Sequence, residues 1–328
     1  MALTTQLTDR LGIRHPVLLA PMDQIAGGRL AAAVSAAGGL GLIGGGYGNA
    51  DWLTREFDAA GKSRVGVGFI TWSLAKRLAL LDLALERRPA AVMLSFGDPA
   101  PYVEKIKRAG AMVICQVQSV TMARDAVAKG AELLVAQGAE AGGHGVARGT
   151  MTLVPAVVDA VGSDVPVAAA GGIADGRGLA AAFMLGASGV LMGTRFYASE
   201  EALGHPAAKE RILRARGDDT VRSSVFDISR RVAWPAPFTG RGLRNAHADS
   251  WLGREVDLLR QIEVEAARYA AACEANDFDV AVVIAGEAVD FINDAPPAAI
   301  IVERVVSEAV RLLGAAAAAP PTSAAATD

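Results

Sequence analysis

The sequence predicts an α/β fold, a TIM (β/α)8 barrel with a smaller, mostly helical inserted domain. Three observations point there. Eight short runs are apolar throughout, as strands buried on both faces are. Each is followed by a glycine-rich or polar loop and, in most cases, a stretch of helical periodicity. Glycines stand just past several of the helical stretches, where a left-handed terminating residue is wanted. With 328 residues, 52% of them hydrophobic and 20% charged, the chain can build a sizeable core, either as one large barrel or as two ordinary domains.

In order, strands are read at residues 16–19, 40–43, 65–69, 91–94, 112–116, 133–136, 165–169 and 189–192. Helices are read at 29–37, 51–60, 74–86, 101–109, 120–129, 153–161 and 178–185, with Gly38, Gly110, Gly130 and Gly186 as their stops. A doubly wound open sheet produces the same alternation, so that alternative stays open at this point. After Tyr197 the rhythm changes: residues 205–284 carry charge clusters, a proline-containing break at 234–238 and helical stretches, with no strand pattern. Residues 1–204 are therefore read as the barrel and 205–290 as a helical substrate or cap domain, whose stretches 223–226 and 234–238 can face a pocket. Residues 291–313, amphipathic from Val302 to Leu313, complete the barrel with a closing helix. The Ala-, Pro- and Thr-rich tail, 314–328, is expected to be disordered.

Composition excludes several functions. A formal net charge of −3 supplies no global positive field for nucleic acid or an anionic membrane surface. Two distant cysteines, Cys115 and Cys273, make no disulfide framework, and no histidine pair has zinc-ligand spacing, so no metal is expected. Met1 to Arg10 lacks a cationic start followed by a long apolar stretch, and no run reaches the roughly 18 apolar residues of a membrane span. A soluble, cytoplasmic protein is the expectation.

Ligands of a parallel barrel bind at the C-terminal ends of its strands. Those positions are rich in glycine here: Ala20-Pro21-Met22 after the first run, Gln137 to Gly145 after the sixth, Gly171-Gly172 after the seventh and Gly193-Thr194 after the eighth. The last two loops can direct backbone N–H groups and the Thr194 hydroxyl at a phosphate, the usual ligand of loops seven and eight. Asp175 beside them suits an outward, helix-capping role. His144, flanked by Gly142, Gly143 and Gly145, has little local packing to justify it and is the candidate for proton transfer. Glu140 suits holding that loop through backbone N–H groups, and Tyr47 suits lining a pocket.

On these residues the sequence resembles the nitronate monooxygenases, formerly called 2-nitropropane dioxygenases. The matching pieces are residues 16–22, 30–41, 137–145, 170–173 and 192–196, in the same order and at similar spacing. The resemblance implies an FMN-bearing barrel. Ala20, Pro21 and Met22 would lie against the flavin ring; Gln116 and Gln137 would reach the flavin or its ribityl chain; Gly142 would touch the cofactor. Gly171, Gly172, Gly193 and Thr194 would hold its phosphate, and His144 matches the family's catalytic base. Many relatives have an asparagine after the third strand; the stretch here is Val67-Gly68-Phe69, without that amide. The implied activity is oxidation of an alkyl nitronate, or a nitroalkane, by O2 to a carbonyl compound and nitrite. FMN-dependent enoyl-acyl-carrier-protein reductases and NADH:quinone reductases share the barrel, the phosphate loops and the glycine-flanked histidine, and so form a rival reading. A phosphate-ligand binder without chemistry is a third. The expected partners are a small-molecule substrate and O2, with homo-oligomerisation left open.

Overall fold

Eight parallel strands build the barrel: β1 (Val17–Leu19), β2 (Leu42–Gly44), β3 (Gly66–Ile70), β4 (Ala91–Ser95), β5 (Met112–Val117), β6 (Leu133–Gln137) and, after a short outlying strand β7 (Gly143–Gly145), β8 (Val167–Ala170) and β9 (Gly189–Met192). The structure is a computed structural model and describes residues 3–318. All eight predicted runs are strands, with ends moved by two residues at most. Their order is β1-β9-β8-β6-β5-β4-β3-β2. The ring closes between β1 and β2, where the Leu40 N–H donates to Val17 O at 3.1 Å and the Leu19 N–H to Leu40 O at 3.0 Å. Closure removes the open-sheet alternative.

The uniformly apolar strands have a direct cause. In β4, Ala91 and Met93 join the inner cluster with Leu18, Leu42 and Ile114, while Val92 and Leu94 join the cluster shared with the surrounding helices. Both faces are buried, so the usual period of two leaves no polar trace. The short helix Gln6–Leu11 adds Leu7 and Leu11 to the inner cluster, at the end of the barrel where the strands begin. Helices Gly28–Ala36, Ala50–Ala60, Ala79–Glu86, Ala100–Arg108, Val120–Ala128, Thr150–Val161 and Gly176–Met184 cover the outside. Gly38, Gly110, Gly130 and Gly186 all have positive φ, from 78° to 101°, as their stop positions require. The final helix, Ala298–Ala318, packs along Gly176–Met184 and Gly28–Ala36. It continues past residue 313, which corrects the expected disorder for residues 314–318; residues 319–328 of that expectation lie outside the described residues.

A second correction concerns residues 205–284, read above as free of strands. They contain β10 (Thr220–Ser223) and β11 (Thr239–Leu243), which pair antiparallel with each other and then with β7, setting Gly240 opposite His144. Both strands carry arginine, and β11 two glycines, so neither shows apolar alternation; backbone pairing to a distant loop makes them strands. The remaining regular structure of the stretch is helical, chiefly Pro206–Arg214, Ala246–Trp251, Glu255–Arg260 and Ile262–Ala275, with irregular backbone at residues 230–238 and 276–284. It sits over the C-terminal ends of the barrel strands: Ala208, Ile212, Leu243 and Val283 share a core with Ala174, Tyr197 and Ala198 from the loops after β8 and β9. No helix of the described residues is long and apolar enough to cross a membrane.

Candidate active site

The loops after the strands enclose a cavity of about 440 Å³ beneath the cap. Ala20, Pro21, Met22, Gln116, Gln137, Gly142, His144, Gly171, Gly172, Gly193 and Thr194 all line it, as does Tyr47. One wall is apolar. The chain leaves β1 as Ala20, whose N–H donates to Met192 O at 2.9 Å, and bends at Pro21 over β3. A Cβ on Gly68 would stand 2.2 Å from Pro21 Cγ, so this point of β3 contributes backbone alone.

A second wall is amide. The Gln116 Nε2 donates to Gln137 Oε1 at 3.0 Å, and the buried Gln118 Nε2 donates to the same oxygen at 2.9 Å. With that oxygen doubly engaged, the Gln137 amide turns its own NH2 to other acceptors. At the ends of β8 and β9, Gly171 and Gly172 have φ of 103° and 73°. Among the described residues the N–H groups of Gly171, Gly172, Gly193 and Thr194 donate to no backbone carbonyl. Thr194 Oγ1 accepts the Gly286 N–H at 3.0 Å, keeping its hydroxyl hydrogen to donate. Glu140 holds the loop by accepting from Thr150 N at 2.9 Å and Thr150 Oγ1 at 2.8 Å. Asp175 caps its helix by accepting from the Arg177 and Gly178 N–H groups, at 3.0 and 3.2 Å.

His144 is 9% exposed. Its Nε2 is 2.8 Å from Asp227 Oδ2. A carboxylate only accepts, so Nε2 carries the proton and the neutral ring keeps its lone pair on Nδ1. The ring stacks on Trp234, whose Nε1 donates to the Tyr47 hydroxyl at 2.9 Å, and Phe96 approaches edge-on. Burial holds the imidazole below its ordinary pKa, against the upward pull of Asp227, so it is neutral at neutral pH. Such a group can take a proton from a carbon acid in the cavity. Arg230, one turn beyond Asp227, reaches Asp227 Oδ1 at 3.8 Å and lies over the Tyr47 ring, 5.4 Å from its centroid.

Sequence reasoning singles out neither Asp227 nor Gln118, and it places the Arg230-Arg231 pair on a solvated face, whereas Arg230 lines the cavity. Asp227 is 83 residues from His144, in a five-residue helix. A histidine base wants a carboxylate, but no spacing says which. Of the cap stretches offered as pocket-facing, Trp234 lines the cavity and residues 223–226 do not.

The family profile described as nitronate monooxygenase matches residues 4–63 and 69–308. The chain belongs to that family. The nitronate monooxygenase npaC of Metarhizium robertsii is 37% identical over 90% of this chain and 91% of that protein. A second relative, named (3aS,4S,5R,7aS)-5-hydroxy-7a-methyl-1-oxo-octahydro-1H-indene-4-carboxyl-CoA dehydrogenase, from Mycobacterium tuberculosis, is 37% identical over 69% of this chain and 65% of that one. Among solved structures, FabK from Thermotoga maritima superposes with a TM-score of 0.85 at 33% identity, covering 96% of this chain and 99% of that one. As a member of the nitronate monooxygenase family the chain is an enzyme, an oxidoreductase.

Proposed function

We propose that this enzyme oxidises alkyl nitronates, and the nitroalkanes they come from, with O2 to a carbonyl compound and nitrite, using FMN. One observation carries the reading: the buried His144, paired with Asp227, borders a cavity that also presents apolar side chains, the Gln116 and Gln137 amides and backbone N–H groups with no carbonyl partner among the described residues. The donor set fits FMN. Ala20, Pro21 and Met22 offer an apolar surface for a ring, Gln116 and Gln137 offer amides, and Gly142 offers close backbone approach. Gly171, Gly172, Gly193 and Thr194 offer four N–H donors for a dianionic phosphate.

When bound, FMN supplies the electron transfer from substrate and onward to O2. The protein supplies the rest. His144 removes the α-proton of a neutral nitroalkane at Nδ1, and donates a hydrogen bond there to a bound nitronate once charged. Asp227 keeps the other nitrogen protonated and the ring in one orientation. Trp234 and Phe96 keep water from the base.

The 37% identity to a protein named as a carboxyl-CoA dehydrogenase supports keeping a reductase or dehydrogenase as the alternative reading. Anaerobic mixing of the flavin-loaded protein with an alkyl nitronate, NADH and NADPH separates the readings. Bleaching of the flavin by the nitronate, and not by either nicotinamide, is expected. Bleaching by NADH or NADPH alone overturns the proposal, and a protein that binds no flavin at all supports a binder without chemistry.

A further inference from the structure

We propose that Arg230 is the residue that selects the substrate, by gripping a planar, two-oxygen anionic group against the aromatic end of the cavity. The inference rests on the reading of the substrate as an anion and adds the residue that reads the charge.

Arg230 is the one lysine or arginine among the described residues lining the cavity. Its guanidinium lies against the Tyr47 ring, and its side chain is 29% exposed. An arginine kept only to neutralise a carboxylate closes on it bidentately, at ordinary hydrogen-bond length. Here the one carboxylate within ion-pair distance among the described residues, Asp227, is 3.8 Å away, and its other oxygen is committed to His144 at 2.8 Å. Asp23 also lines the cavity, yet it makes no ion pair with Arg230 among the described residues. The edge of the guanidinium fork is thus left with donors to offer, in the planar two-fold geometry that a nitronate or a carboxylate matches.

The surroundings fit the body of such a ligand. Trp234 and Tyr47 meet edge to face with centroids 6.1 Å apart, and Phe96 stands 5.1 Å from both Trp234 and Phe238. An anion with an apolar or aromatic body places its charge on Arg230 and its body on these rings. Asp227 lies between Arg230 and the Nε2 edge of His144, so the fork and the imidazole border the same cavity on either side of one carboxylate.

The test uses benzoate, a planar anion that does not turn over, and benzamide, its uncharged isostere, each titrated into the purified full chain and followed by tryptophan fluorescence. The native protein is expected to bind benzoate at least about 10-fold more tightly than benzamide. Arg230→Met should abolish that preference, weakening benzoate about 10- to 100-fold while leaving benzamide within about twofold, and Arg230→Lys should restore part of it. Absence of a preference in the native protein, or equal weakening of both probes in Arg230→Met, overturns the inference and makes Arg230 a structural counter-ion of Asp227. If Arg230→Met loses its circular dichroism signal, Arg230→Gln carries the same comparison. Binding needs no turnover, so Arg230-dependent benzoate preference in a protein that oxidises no nitronate sinks the proposed reaction and keeps this inference. Nitronate oxidation with a KM that the variant leaves within about twofold does the reverse.

Discussion

The imidazole of His144 lies flat on the indole of Trp234, with ring centroids 3.4 Å apart and planes within 8°. The stack covers one face of the imidazole, and burial is the largest cause of its lowered pKa. Trp234→Ala opens that face to water. The acid limb of the pH profile for a neutral nitroalkane is expected to move to higher pH, and the maximal rate to fall about 10-fold. Steady-state kinetics across about pH 5 to 8 measure both; a limb that does not move contradicts the assignment.

Asp227→Asn should act in the opposite sense. The carboxylate is the main group raising the His144 pKa, so its loss lets the acid limb drift to still lower pH. An amide can also donate to Nε2 and favour the wrong tautomer. The rate of proton abstraction is expected to fall about 100-fold. Isotope effects on an α-deuterated nitroalkane show whether the lost step is the proton transfer; an unchanged rate removes Asp227 from the mechanism.

Two glycines separate folding from cofactor retention. Gly171 has φ 103°, and a Cβ there would stand 2.9 Å from Thr150 Oγ1 and 3.0 Å from Gly138 O, so Gly171→Ala should cost about 1–3 kcal/mol of stability. At Gly193 a Cβ meets only Ala20 Cβ at 3.5 Å and Met22 Sδ at 3.6 Å, ordinary contacts. Gly193→Ala should melt like the native protein and still lose flavin on dialysis, because the methyl stands on the cavity wall. Full flavin retention there would refute the phosphate assignment.

Arg222 clamps the loop that carries His144 to the β10–β11 hairpin. Its guanidinium donates to Ala139 O at 3.0 Å, Ala141 O at 3.1 Å and Thr239 O at 2.5 Å. Arg222→Met removes the side-chain donor of Ala141 O and Thr239 O, while Ala139 O keeps the Arg241 Nε donor at 3.0 Å, and is expected to lower stability by about 1–3 kcal/mol in urea unfolding. Arg222→Lys cannot span them with a point charge, so recovery of more than half the loss would argue against the fork.

Burial lowers the pKa of both His144 and His247 from 6.5. Below that value the unfolded chain takes up protons that the folded chain refuses. Stability from these groups is therefore full above pH 6.5 and is lost as pH falls through their lower folded values. Thermal melts should fall from about pH 7 to about pH 5; a melting temperature that rises on acidification over that range would contradict the burial of these rings as neutral groups.

Much of this molecule is legible one segment at a time. A strand buried on two faces must be apolar along its length, which makes the eight runs visible, and helix stops need a left-handed residue, which makes Gly38 or Gly186 visible. Backbone that approaches a ligand closely must lack Cβ, so the glycine pairs mark the mouth of the barrel before any geometry is known. His144 stands out by the same logic, as a titratable side chain among residues that cannot pack it.

What surrounds His144 is a different matter. Asp227 and Trp234 come from a cap 83 and 90 residues further along, and the strand opposite His144 is Thr-Gly-Arg-Gly-Leu, which carries no strand signal of its own. Contacts closed across such loops depend on how the hairpin docks on β7, and docking has no period in the chain. The nature of the base can therefore be guessed from its neighbours in sequence, while its protonation state, its partner and the charge facing the substrate come into being only when the cap closes over the barrel.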